Sequence, residues 1–179
     1  YRRNYEQLSV MTQTSSKWHD KTTTKIGDYG EILIRECLEK WGWVCYKALT
    51  DKAHLMDYLI FRSDKGVLAV EVKVKSLRKS YPDTGFNLRN YEQYKKFTDE
   101  HNIRMFVFFI DEGRGEIYGN FLDVLDQKRT CNGRAYPVNE DTKYGATIRY
   151  YPYEAMKPIK KLSDEEIDFF KKIRDGEAA

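Results

Sequence analysis

Val67-Leu68-Ala69-Val70-Glu71-Val72-Lys73-Val74 is the stretch on which the fold turns. It is rich in β-branched residues, follows Asp64-Lys65-Gly66, and reads as a β-strand. Strand side chains alternate faces, so Leu68, Val70, Val72 and Val74 share one face and Val67, Ala69, Glu71 and Lys73 the other. That second face starts apolar and then carries a carboxylate beside an ammonium. Upstream, Leu55-Met56-Asp57-Tyr58-Leu59-Ile60-Phe61 holds a lone Asp in an otherwise apolar run. Burying an unpaired charge is costly, so such carboxylates are normally paired or bind a metal. A solvent-facing salt-bridged ladder is the plain alternative for Glu71 and Lys73. A satisfied Asp at a turn is the plain alternative for Asp57.

The bulk of the chain narrows the classes. At 179 residues it suits one domain with a real core. Charged residues make up 33% and hydrophobic residues 41%, as in a water-soluble globular protein. Net charge is +3, so any nucleic-acid footprint is a local patch rather than a property of the whole molecule. The three cysteines, Cys37, Cys45 and Cys131, lack CxxC spacing. That argues against a disulfide framework or zinc site and fits a reducing, cytoplasmic compartment (the host cell's, for a phage-encoded chain). No apolar run approaches the ~20 residues of a membrane span, and no signal-peptide pattern is visible.

In chain order, residues 1 to about 25 read as a polar N-terminal arm, with some helix around Tyr5 to Met11. A helix is expected from Asp28 to before Gly42, with Asp28 as N-cap and Gly42 as its stop. Gly30, Ile34, Cys37, Leu38 and Trp41 form its apolar stripe, and Glu31 lies at the stripe's edge. Glu31 is therefore the glutamate of this helix nearest the sheet. It is equally the reciprocal partner in a capping box with Asp28, and local pattern favours the cap. Trp43 to Leu49, Leu55 to Phe61 and Val67 to Lys75 read as three strands of an antiparallel meander, with Thr50 to His54 as a turn. A loop from Ser76 to Gly85 continues the basic run Lys73, Lys75, Arg78, Lys79 beside the Glu/Lys strand, which suits a phosphate-facing patch.

Leu88 to His101 reads as a second helix, Ile103 to Ile110 as a central strand covered on both faces, and Glu116 to Phe121 as a further strand. Phe121 to Lys128 suits a short helix, and Thr130 to Gly145 is turn-rich. Ala146 to Tyr151 is a strand, and Pro152 and Pro158 break the segment after it. Ser163-Asp164-Glu165-Glu166 opens a last helix with a capping box, and Ile167, Phe170 and Ile173 form its buried stripe. Residues 26–179 are read as one domain, with a core at 26–125 and an elaboration at 126–179.

Asp57 and Glu71 are hard oxygen donors on adjacent strands. With the backbone carbonyl of Val72 they suit Mg²⁺, which binds through few carboxylates and keeps waters for a phosphate. Lys73 shares Glu71's face and could hold an attacking water or neutralise developing charge. Metal-assisted phosphodiester hydrolysis is what such a set can perform. Glu31, where it reaches the site, would add a ligand. With three histidines in the chain, a His-based site such as His54-x-x-Asp57 is poorly supported. Tyr46, Tyr81, Tyr91 and Tyr94 could stack on bases, though packing is the commoner fate of aromatics.

Glu31 on a first helix, Asp57 on a strand and Glu71-Val72-Lys73 on the next resemble the PD-(D/E)XK nuclease superfamily. Within it, GDYGE (27–31), GW (42–43), MDYLIF (56–61) and VLAVEVKVKS (67–76) are most similar to Holliday-junction resolvases and related phage and archaeal nucleases. The resemblance covers about residues 25 to 125. It implies an α/β restriction-endonuclease-like core: a central mixed sheet of about five strands flanked by helices in α-β-β-β-α-β order, with a C-terminal strand and helix added. It also implies a Mg²⁺- or Mn²⁺-dependent DNA endonuclease, with Asp57 and Glu71 as ligands, Lys73 as catalytic lysine and Glu31 as the helix glutamate. Duplex or branched DNA would be the partner, and a homodimer the cutting form. Lys75, Arg78, Lys79 and Gln93 are the expected nucleic-acid contacts. Met56 stands where the motif has Pro. Gln93 and Phe97 stand where some exonuclease branches have Gln and Tyr. The competing readings are a DNA-binding module that keeps the fold without the chemistry, and an RNA-directed nuclease.

Overall fold

A computed structural model describes residues 21–47 and 55–177. The elements, in order, are α1 (Thr22–Lys40), β1 (Val44–Tyr46), β2 (Tyr58–Arg62), β3 (Gly66–Val74), β4 (Asp83–Asn87), α2 (Leu88–His101), β5 (Met105–Asp111), β6 (Glu116–Phe121) and α3 (Leu122–Leu125). There follow β7 (Arg129–Cys131), β8 (Arg134–Tyr136), β9 (Val138–Asp141), β10 (Thr147–Pro152), a 3₁₀ turn (Tyr153–Ala155), β11 (Lys157–Lys161) and α4 (Asp164–Asp175).

The architecture is mixed α/β, with a central mixed sheet flanked by helices. Six strands stand in the order β1-β2-β3-β5-β6-β11. The pairs β1/β2 and β2/β3 are antiparallel, so the expected meander is present. Strand β5 then joins β3 in parallel, which requires a crossover, and α2 supplies it. Strand β5 is central, and its residues from Val107 to Asp111 are all buried, as its continuous apolar run demands. The alternation along β3 separates two cores. Val70 and Val72 pack with Leu33 and Ile34 of α1 and Phe170 of α4. Ala69 packs on the other side, with Tyr94 of α2 and Phe86 of β4.

Several boundaries differ from expectation, each for a tertiary reason. Helix α1 starts at Thr22, not Asp28, and has no side-chain cap. Its extra turns bury Ile26, and Tyr29 just after them packs against Phe169 and Phe170 of α4, with ring centroids 4.4 and 4.7 Å apart. Packing of a face outweighs a local cap signal. Residues 22–25, read as arm, are therefore helical, whereas 1–20 and the expected turn at 50–54 lie outside the described residues. Trp41, expected in the buried stripe, is 44% exposed. Part of the expected loop from Ser76 to Gly85 is strand β4, which pairs with β10 in a second sheet, β4-β10-β9. Gly85 reads as a breaker, yet it serves close approach: a Cβ there would meet the Arg149 carbonyl oxygen at 2.0 Å.

The central sheet has six strands rather than about five, because β11 adds an edge. Pro158 had marked that segment as broken. An edge strand tolerates Pro, and the register with β6 shifts between Pro158 and Lys160. The turn-rich stretch 130–145 holds the hairpin β7/β8 and strand β9. Helix α4 carries the expected capping box between Ser163 and Glu166. Among the described residues no helix is long and apolar enough to cross a membrane.

Candidate metal-assisted hydrolytic site

The site forms where β2 leaves β3. The register pairs Tyr58 with Val70, so Asp57 stands opposite Glu71, one residue before β2 begins. The Asp57 amide donates to the Val70 carbonyl at 3.1 Å, and the Val72 amide donates to Asp57 Oδ2 at 2.7 Å. The carboxylate thus replaces the ladder carbonyl that a longer β2 would have offered. Asp57 has found a partner, but only one hydrogen bond's worth. Burial first, then the charges of Glu71 and Glu31, push its pKa from an ordinary 3.8 up to about 8, against the opposing pull of the Val72 amide and Lys73. The Val72 amide points to the β2 side, and in a ladder a residue's carbonyl points the same way.

Glu71 is 4% exposed, so a solvent-facing ladder is ruled out for it. Its Oε1 accepts from the Tyr94 hydroxyl at 2.6 Å and from Lys73 Nζ. Burial, followed by the charge of Glu71, raises the Tyr94 pKa well above the usual range, so the phenol remains a proton donor. Glu31 sits in the body of α1, and its Oε2 accepts from Lys47 Nζ at 2.5 Å. The capping-box reading of Glu31 is therefore corrected: Asp28 lies inside the helix and caps nothing. Helix α1 can lie this close to β3 because Gly30 has no side chain, and a Cβ there would meet Val74 Cγ2 at 2.5 Å.

The fold brings Asp57, Glu71, Val72 and Lys73 together, with Glu31 near enough for Asp57 to feel its charge. Among the described residues no three His, Cys, Asp or Glu side chains close into a metal-holding group. The donor set is two carboxylates and a backbone carbonyl, each carboxylate facing its own hydrogen-bond donor. Such a set fits a hard divalent cation that completes its shell with water and phosphate oxygens.

The expected nucleic-acid contacts divide. Lys75 and Lys79 are exposed beyond β3. Arg78 is committed elsewhere: its guanidinium is bidentate to Asp83 at 2.6 and 2.7 Å, reaches Glu140 at 2.6 Å and lies 3.6 Å over the Tyr150 ring. Gln93 is exposed on α2, in a groove of about 1050 Å³ that shares Tyr94 with the site. Phe97 packs against the α2-side core.

Comparison with known proteins gives one kind of likeness. The solved structure of Hjc from Archaeoglobus fulgidus, a Holliday junction resolvase from an archaeal hyperthermophile, is similar. It is 15% identical, with a TM-score of 0.45 over 69% of this chain and 88% of that chain. No family model and no curated protein matches the chain.

Sequence reasoning missed Tyr94 and Lys47 as members of the site. Tyr94 had appeared only as a packing or stacking aromatic. The signal for it was indirect: the helix after a strand of a parallel pair must cross the sheet face, and its inward tyrosine meets whatever polar group that face carries. Lys47 carried no signal, since its contact with Glu31 spans 16 residues of sequence.

Proposed function

We propose that this chain is a divalent-metal-dependent nuclease that hydrolyses DNA phosphodiester bonds. The observation that carries the reading is the opposition of two carboxylates, the half-buried Asp57 and the buried Glu71, across the end of β2, with Lys73 one side-chain period along. Two like charges held there repel, and a divalent cation is the partner that relieves both. Asp57, Glu71 and the Val72 carbonyl would hold Mg²⁺ or Mn²⁺, with Glu31 as an outer member. The bound cation supplies Lewis acidity and an acidified water. Asp57 would hold the cation as the ionised carboxylate, with its proton passing to solvent water. Glu71 holds the Lys73 ammonium beside the reacting phosphate, where it orients water and offsets the charge that builds as the P–O bond to the leaving group breaks. The exposed lysines Lys75 and Lys79 extend the cationic rim toward the backbone of a bound strand. DNA is chosen over RNA on the motif resemblance.

The test is a cleavage panel of branched, linear duplex and single-stranded DNA, with RNA alongside, in Mg²⁺, Mn²⁺ and EDTA. DNA cleavage in either metal and none in EDTA is expected. Asp57→Ala and Lys73→Ala should each lose at least a hundredfold in rate while keeping the circular dichroism of the wild type. Unchanged rates in both variants would sink the assignment. Cleavage of RNA alone would replace DNA by RNA as substrate, and tight DNA binding without any cleavage would make this a binding module.

A further inference from the structure

We propose that Tyr94 is a positioning residue that fixes the Glu71 carboxylate for cation binding. The inference rests on the nuclease reading above and goes beyond it, because the motif assigns no role to Tyr94. Two observations support it. First, both donors to Glu71, the Tyr94 hydroxyl and Lys73 Nζ, converge on one oxygen, Oε1. A carboxylate bonded from two directions at one oxygen cannot rotate freely, and Oε2 becomes the oxygen offered to a cation. Second, Tyr94 is only 3% exposed, and its ring stands 5.5 Å from that of Phe86, so the hydroxyl is aimed by a packed ring rather than by a loose side chain. Tyr94 thus ties α2 to the ligating edge of β3. Outer partners of this kind set the orientation and basicity of a ligating carboxylate, and their loss typically costs 10–100-fold in metal affinity.

A buried phenol must find some acceptor, so satisfying Tyr94 is the plain alternative. The two roles separate by measurement. Tyr94→Phe removes the hydroxyl and keeps the ring. Mn²⁺ binding to the full chain, read by electron paramagnetic resonance without nucleic acid, should weaken about tenfold in the variant. Cleavage should fall at limiting Mn²⁺ and recover as Mn²⁺ is raised. Phe86→Leu, which loosens the packing of the Tyr94 ring, should weaken Mn²⁺ in the same direction by a smaller factor, and it keeps the measurement available where Tyr94→Phe folds poorly. A purely structural Tyr94 would lower the thermal midpoint in EDTA and leave Mn²⁺ affinity unchanged, and that result overturns the proposal. Wild-type protein that binds no Mn²⁺ would overturn the cation reading itself, and the positioning role with it. Wild-type binding matched by both variants would overturn the positioning role alone.

Discussion

Asp57 carries the most consequence of any single side chain. Its pKa of about 8 means that folding favours its protonated form. The stabilisation this gives is complete below the unfolded value near 3.8 and is lost as pH rises through about 8. Metal-free protein should therefore lose stability between pH 5 and 9, on the order of 4 kcal/mol from this residue. Asp57→Asn cannot ionise and should flatten that slope, matching wild type at pH 5 and exceeding it at pH 9 in EDTA. Adding Mg²⁺ should reverse the ranking at pH 8, because only the carboxylate gains from the cation. Urea denaturation across pH reads both effects, and a parallel pH slope in the two proteins would contradict the account. The lone Asp in an apolar run announced itself in the sequence. Its backbone partner did not, since the Val72 amide becomes available only because β2 stops at Tyr58.

Among the elements, the contact between α1 and β3 decides whether Glu31 can approach the site. Gly30 permits it, since a Cβ there would meet Val74 Cγ2 at 2.5 Å and Ile110 Cδ1 at 3.2 Å. Gly30→Ala should gain up to about 1 kcal/mol of helix propensity and lose about 1–3 kcal/mol to overpacking. The net expectation is a lower urea midpoint. In a double-mutant cycle with Val74→Ala the two changes should couple by at least about 0.5 kcal/mol, because the second removes the atoms the first strikes. Strict additivity would show that the helix moves instead. The apolar stripe of α1 was legible at Gly30, Ile34, Cys37 and Leu38, all of them buried. Its start was not legible, because burial of Ile26 and Tyr29 depends on α4, which arrives 135 or more residues later in the chain.

Taken as a whole, the molecule uses its C-terminal third to hold the loop that leaves the site. Asp83, on β4, is wholly buried. It is gripped by Arg78 from that loop and by the Tyr136 hydroxyl at 2.7 Å from β8. Arg78 also reaches Glu140 on β9. Asp126 and Arg149 add a second tie, with Asp126 accepting from the Tyr91 hydroxyl of α2 at 2.5 Å. Breaking a buried charged network leaves an uncompensated charge, typically at a cost of about 3–5 kcal/mol. Asp83→Ala should therefore lower the denaturation midpoint strongly, by an amount in that range. An effect under about 1 kcal/mol would mean that the tail is not tied through Asp83. Arg78 belongs to this lock, and the basic run that began at Lys73 leaves Lys75 and Lys79 as its exposed members.

Local information was enough for the alternation along β3, the meander, the α2 helix, the capped last helix, and the meeting of Asp57 with Glu71 and Lys73 on one face. Each follows from side-chain periodicity and short connections, which act over a few residues. Contacts between distant segments decided the rest. They set where α1 begins, the tie of Arg78 to Asp83, the second sheet built on β4, the sixth strand at Pro158, and the hydroxyl that Tyr94 presents to Glu71. Those outcomes depend on which surfaces meet, and a buried charge takes whatever donor the completed packing puts within reach.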